Sequence, residues 1–188
     1  MRTLTYYVAT TLDGFIAGPD GQFDVFAFGD ALRELVVSEL PETLPVHART
    51  ALGITDLPHQ RFDTVVMGHG TYQPALDAGI PSPYPHLRQL VASRSLVVDD
   101  PTVTVTPDPV ATVADLKQED GLGIWLAGGG KLAGALADQI DEIVLKRNPV
   151  LLGAGIPLFD AAYAPRPFRH VDTLLLDDGV AVETYVRA

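Results

Sequence analysis

The chain has 188 residues, 47% hydrophobic and 20% charged, which is an ordinary globular composition and enough chain to bury a sizeable core. Its formal net charge of −11 argues against a nucleic-acid partner, because no basic patch is present to displace phosphate counterions, yet local donors can still hold an anionic small ligand. It has no cysteine, which excludes disulfides, zinc thiolate sites and thiol nucleophiles, and no apolar run approaches the roughly 18 residues of a membrane span.

The N-terminal stretch MRTLTYYVATTLDGF does not read as a signal peptide, so a cytoplasmic location is expected. Residues 4–12 are rich in β-branched and aromatic side chains and predict a strand. The run DGFIAGPDGQ, with Gly14, Gly18, Pro19 and Gly21, predicts a loop. Leu32, Leu35, Val36 and Leu40 recur at helical spacing over 28–40, and Pro41 and Pro45 interrupt that helix. Residues 46–60 are ambiguous, with room for a short helix.

Thr64–Met67 predicts a buried strand, followed by a glycine turn and a short helix. Further strands are expected near Leu90–Ala92 and over 102–106. A helix is expected to open at Asp108, with Pro109 at its first position. GIWLA predicts a strand, and GKLAGALADQ a helix with Leu132, Leu136 and Ile140 on one face. DEIVLKR predicts a strand before a Gly/Pro-rich loop, and the C-terminal run predicts two strands joined at Asp177-Asp178-Gly179. Strands alternating with helices and closed by a hairpin predict one three-layer α/β domain over residues 1–188. Its sheet is mostly parallel, with helices on both faces and antiparallel strands at the edge.

The chemistry concentrates at strand ends. Gly128, Gly129 and Gly130 stand between a strand and a helix, where unpaired N–H groups and bare backbone suit a phosphate or pyrophosphate; the same residues also suit a plain tight turn. The run matches neither the dinucleotide fingerprint G-x-G-x-x-G nor a P-loop. Gly68, Gly70 and Thr71 follow a second strand, and Ser93, Arg94 and Ser95 a third. Three such ends at one sheet edge suit a multiphosphate ligand.

In this order, VATTLDGFIAGPDG, DTVVMGHGTYQPAL, LVASRSL, IWLAGGGKLAGALADQIDEIVL and PVLLGAGIPLF resemble the bacterial dihydrofolate reductase-like family that includes the C-terminal reductase domain of the bifunctional riboflavin-pathway enzyme. The resemblance spans residues 3–186. It implies a dihydrofolate reductase-like fold, NADPH as cofactor, reduction of a small-molecule substrate, and a homodimer. It places Ala9 and the loop Leu12-Asp13-Gly14-Phe15-Ile16-Ala17 beside the nicotinamide, and Gly68, His69 and Thr71 on the cofactor phosphates. Ser93 and Arg94 would hold the 2′-phosphate, and Gly128, Gly129, Gly130 and Leu132 the pyrophosphate, with Lys131 beside them. Gly153 and Gly155 would lie near the cofactor or a dimer contact. Where the family carries Arg, this chain has His69, so a preference for NADPH over NADH rests mainly on Arg94.

No motif fixes a proton donor. Asp13 and Asp24 are the nearest candidates, Asp13 equally suiting a loop brace, with Asp20, Asp30 and Glu34 behind them. True dihydrofolate reductases pair the pterin with a carboxylate on the first helix, and that motif is absent. The five His and the carboxylates show no metal-ligand spacing; His47, His59, His86 and His170 read as surface residues. The expected activity is NADPH-dependent reduction of a small heterocyclic or carbonyl substrate, nearest to the riboflavin-pathway 5-amino-6-(5-phosphoribosylamino)uracil reductase. The alternatives are a non-catalytic nucleotide-binding module, a dihydrofolate reductase, or an enzyme that uses the glycine turn for a sugar phosphate.

Overall fold

The computed structural model describes residues 1–188. Eight strands form one sheet. They are β1 (Leu4–Thr10), β3 (Phe62–Gly68), β4 (Arg88–Ala92), β5 (Val103–Thr106), β6 (Gly123–Gly128), β7 (Glu142–Arg147), β9 (Phe168–Leu175) and β10 (Ala181–Arg187). Their order is β5-β4-β3-β6-β1-β7-β10-β9, and the six strands from β5 to β7 are parallel. The hairpin β9–β10 adds to β7 antiparallel, as its Asp-Asp-Gly turn predicts.

Five helices and a short 3₁₀ turn cover the sheet: α1 (Asp30–Glu39), the turn Pro41–Thr43, α2 (Val46–Leu52), α3 (His69–Asp77), α4 (Pro109–Leu116) and α5 (Gly130–Ala135). Because side chains alternate along β1, Leu4 and Tyr6 enter one core and Tyr7 the other. Leu4, Tyr6, Ile124 and Leu126 pack under Val113 and Leu116 of α4 and under Leu132, Ala133 and Leu136 around α5. Tyr7, Val65, Met67, Val91, Trp125 and Val144 pack on the other face with Tyr72 of α3 and Leu40 beyond α1. Leu32 and Val36 of α1 join Leu176 and Val180 in a third cluster under the hairpin turn. The three layers and the mixed sheet are those the sequence predicts.

Local chemistry explains the best-predicted boundary: the Asp108 carboxylate accepts the Ala111 N–H at 3.1 Å and Pro109 occupies the first helical position. Two details differ from expectation, an added ribbon and a shorter helix, while the short helix for which residues 46–60 left room is present. The loop after β1 contains a three-residue strand, β2 (Phe15–Ala17), paired with the two-residue β8 (Ile156–Pro157). Residues 46–52 are helical, closed by Gly53. The helix expected over 130–139 ends at Ala135, although Leu136 and Ile140 stay fully buried. No helix is long and apolar enough to cross a membrane.

Candidate active site

The parallel strands point their carboxyl ends to one edge. From β3 the chain enters α3 and crosses one face toward β4; from β6 it enters α5 and crosses the other face toward β7. Connections that part on opposite faces leave a crevice between the two strand ends. That crevice is a cleft of about 1240 Å³.

Ten of the twelve residues expected at a cofactor line it: Ile16, Gly68, His69, Thr71, Ser93, Arg94, Gly129, Gly130, Lys131 and Leu132. Ala9 and Gly128 do not; Val8 lines the cleft from β1 instead. The cleft is closed on one side by Ala17, Gly155, Ile156 and Pro157 of the β2–β8 ribbon, and Asp20 and Phe23 extend it. Ile156 and Pro157 carried no local signal, because a two-residue strand exists only through its distant partner.

The three glycines need their missing side chains for three different reasons. Gly128 has φ +121, a conformation that other residues rarely adopt. At Gly130 a Cβ would collide with the Pro157 carbonyl oxygen. At Gly129, φ is −92 and a Cβ would make ordinary contacts, 3.6 Å from both Ile16 Cδ1 and Thr71 Oγ1. Only there does the absent methyl leave space in the cleft rather than in the fold. The first N–H to close a bond within α5 is that of Ala133, to Gly129 O at 2.9 Å, so the N–H groups of Gly130, Lys131 and Leu132 lack intrahelical acceptors.

Charge at the rim is mixed. Arg94 and Lys131 are exposed and make no ion pair, whereas Asp20, Asp77 and Asp160 also line the cleft. His69 Nε2 stands 3.0 Å from Gln73 Oε1, one turn along α3. The Ser93 hydroxyl accepts the N–H groups of Ser95 and Leu96 at 3.3 and 3.1 Å, which shapes the loop presenting Arg94.

The two nearest candidate proton donors are elsewhere, whereas Asp20, named behind them, lines the cleft. Asp13 accepts the Thr11 hydroxyl at 2.6 Å and the Gly153 N–H at 2.7 Å, with Leu152 N–H at 3.2 Å. It ties the loop after β1 to the loop before β8. These donors, Thr11 first, hold its carboxyl below the usual carboxylate range, the opposite of what a proton donor needs. Asp24 is exposed and lines no part of the cleft. His86, expected at the surface, is half-buried, with its Nε2 2.8 Å from the Glu42 carbonyl oxygen.

The Bacillus subtilis protein YwjB is 30% identical to this chain over 191 residues, covering 100% of this chain and 99% of its own. The dihydrofolate reductase of Enterococcus faecalis, solved with NADP(H) and RAB-propyl, superposes with a TM-score of 0.66 at 13% identity over 98% of this chain and 96% of that one. A diaminohydroxyphosphoribosylaminopyrimidine deaminase/5-amino-6-(5-phosphoribosylamino)uracil reductase of Thermotoga maritima superposes with a TM-score of 0.63 at 17% identity, over all of this chain and 57% of that longer one. The fold is therefore dihydrofolate reductase-like, with the cleft at the divergence of β3 and β6. A family model of the RibD C-terminal domain matches residues 2–182, nearly the whole length over which this architecture extends, and the chain belongs to that family.

Proposed function

We propose that this protein is an NADPH-dependent reductase of a small heterocyclic or carbonyl acceptor, with 5-amino-6-(5-phosphoribosylamino)uracil as the first acceptor to test. The observation that carries the reading is Gly129. It has a negative φ and room for a methyl, and that room opens between Ile16 and Thr71 into a cleft large enough for a dinucleotide. The residues fit the cofactor. Bare backbone at Gly129 and the free N–H groups of Gly130, Lys131 and Leu132 suit a pyrophosphate, and Arg94, having no carboxylate to satisfy, suits the 2′-phosphate. The bound nicotinamide would supply a hydride; the protein positions the acceptor, excludes water and supplies a proton.

A pterin acceptor fits less well. Of the acids at the start of α1, Asp30 pairs with Arg33 at 2.8 Å with its side chain 84% exposed, and Glu34 is exposed, so neither is a buried carboxylate for a pterin ring. Cytoplasmic residence and a homodimer belong to the same proposal. The dimer is motivated by the edge strand β9, where Val171, Leu174 and Leu175 are exposed.

The test is NADPH oxidation with 5-amino-6-(5-phosphoribosylamino)uracil and, separately, with dihydrofolate, alongside NADPH binding followed by nicotinamide fluorescence. Turnover with the uracil and not with dihydrofolate is expected. Tight NADPH binding with no turnover would make the chain a binding module, and no binding would remove the cofactor.

A further inference from the structure

Three polar side chains of α3 line the cleft at successive helical turns: His69, Gln73 and Asp77. His69 Nε2 lies 3.0 Å from Gln73 Oε1, and Gln73 Nε2 donates to Asp77 Oδ1 at 2.7 Å. A carboxylate is out of place beside a cleft for an anionic ligand, unless it acts on its neighbour. The Asp77 carboxylate has one such neighbour, the Gln73 amide.

The two contacts have a fixed direction. An ionised carboxylate only accepts, so the Gln73 amide must turn its NH₂ to Asp77 and its oxygen to His69. That oxygen also only accepts, so Nε2 of His69 must carry a hydrogen. The other ring nitrogen, Nδ1, has no partner in the protein. In the neutral ring Nδ1 is then a bare acceptor, and in the imidazolium it is a donor. Asp77 and Gln73 leave His69 no neutral form that offers an Nδ1–H.

The sheet puts this ring between two anion-binding groups. Gly68 pairs in register with Ala92, and Met67 with Gly128, so the ends of β4, β3 and β6 stand side by side. His69 leaves the middle end, between the loop of Arg94 after β4 and the Gly129 backbone after β6. The other charges that line the cleft are Asp20, Arg94, Lys131 and Asp160, all exposed and none bonded to His69.

We propose that Asp77 and Gln73 make the choice between NADPH and NADH depend on the charge of His69. This rests on the cofactor reading above. The two cofactors share a pyrophosphate and differ at one ribose position, a 2′-hydroxyl in NADH and a 2′-phosphate in NADPH. Neutral Nδ1 accepts the hydroxyl hydrogen of NADH and offers the phosphate nothing. The imidazolium donates Nδ1–H to the phosphate in a charge-assisted bond. Preference for NADPH therefore narrows in alkali and widens as pH falls. Gln73 and Asp77 are positioning residues, acting only through His69.

The chain has five histidines, and His69→Asn assigns the His69 ring in nitrogen-15 spectra of the cofactor-free protein. At about pH 8 the wild type should show the Nε2–H tautomer alone, and Gln73→Leu a mixture of both. Between about pH 8 and 6, the ratio of NADPH to NADH affinity should rise about fivefold more in wild type than in His69→Asn. The amide of that variant does not titrate, while the phosphate's own protonation is common to both. Gln73→Leu and Asp77→Asn should cut this gain to about twofold or less, because an unlocked neutral ring can turn Nδ1–H to the phosphate. An Nδ1–H tautomer in the wild type needs no relay variant to be seen and would overturn the proposal. So would equal tautomer mixtures in wild type and Gln73→Leu, or a pH gain in wild type no larger than in His69→Asn. Each of these outcomes leaves the reductase reading standing. A wild type that binds neither cofactor would overturn both.

Discussion

The Pro157 carbonyl oxygen occupies the space where a side chain on Gly130 would begin, and the N–H of Asp160 donates back to the Gly130 carbonyl at 3.0 Å. The segment after β8 is thus clamped onto the first turn of α5. Alanine at Gly130 must push this segment away, and alanine at Gly128 must adopt a positive φ, so both variants should melt well below wild type. Gly129→Ala should melt like wild type and bind NADPH at least tenfold more weakly, about 1.4 kcal/mol. Melting curves and NADPH titrations on the three variants check this; unchanged affinity in Gly129→Ala would leave the triple glycine a turn.

Arg94 is exposed and unpaired, so truncating it should not touch stability. Arg94→Ala should weaken NADPH by roughly 1.5–3 kcal/mol, the loss of a hydrogen bond to a charged group, and leave NADH almost unchanged. Titration with both cofactors is the check, and equal losses would take Arg94 off the 2′-phosphate.

His69 stands in the first turn of α3 with a neighbour, Gln73, that an arginine could keep as a partner. His69→Arg should tighten NADPH by roughly 1 kcal/mol through an added charge-assisted contact, with NADH gaining less. Weaker or unchanged NADPH binding would place His69 away from the phosphates.

The Asp13 brace is pH-sensitive in a direction fixed by its lowered pKa. A carboxylate whose folded pKa lies below its unfolded value contributes in full above the unfolded pKa, near 4, and loses that contribution as pH falls through the folded value. The Gly153 amide, which donates to Asp13 at 2.7 Å, should be protected from hydrogen exchange at neutral pH and lose protection in acid. Asp13→Asn should show weak protection at every pH while retaining NADPH affinity within a few-fold, since Asp13 lines no part of the cleft. A large loss of cofactor affinity would return it to the site.

The edge strand β9 exposes Leu175 at 71% and Val171 at 48% beside no further strand. Sedimentation at micromolar concentration should give twice the chain mass of 20.1 kDa, and Leu175→Lys with Val171→Glu should give the monomer. A monomeric wild type would end the proposal.

Elements written in local chemistry were legible before the structure. Asp108-Pro109 is a cap and a first helical residue whatever surrounds it, and Asp177-Asp178-Gly179 is a turn between two apolar runs. The strand ends carrying Gly68, Arg94 and Gly129 were legible for the same reason. What stayed hidden depends on distant partners: β2 exists because of β8, and Gly130 is glycine because of Pro157. The periodicity of Leu132, Leu136 and Ile140 correctly marks buried positions but overstates the helix, since a tight turn buries Leu136 and Ile140 just as well.

The position of β1 has a consequence for the protein's birth on the ribosome. Tyr6 pairs on one side with Leu126 and on the other with Ile143, so the first strand made is the one that must wait longest for its neighbours. At cellular translation rates that wait is on the order of ten seconds. During it, Leu4, Tyr6 and Tyr7, all buried in the finished molecule, have nowhere to go. A nascent chain paused before β7 emerges should therefore bind chaperones and fall to proteases, and one released just past it should resist both.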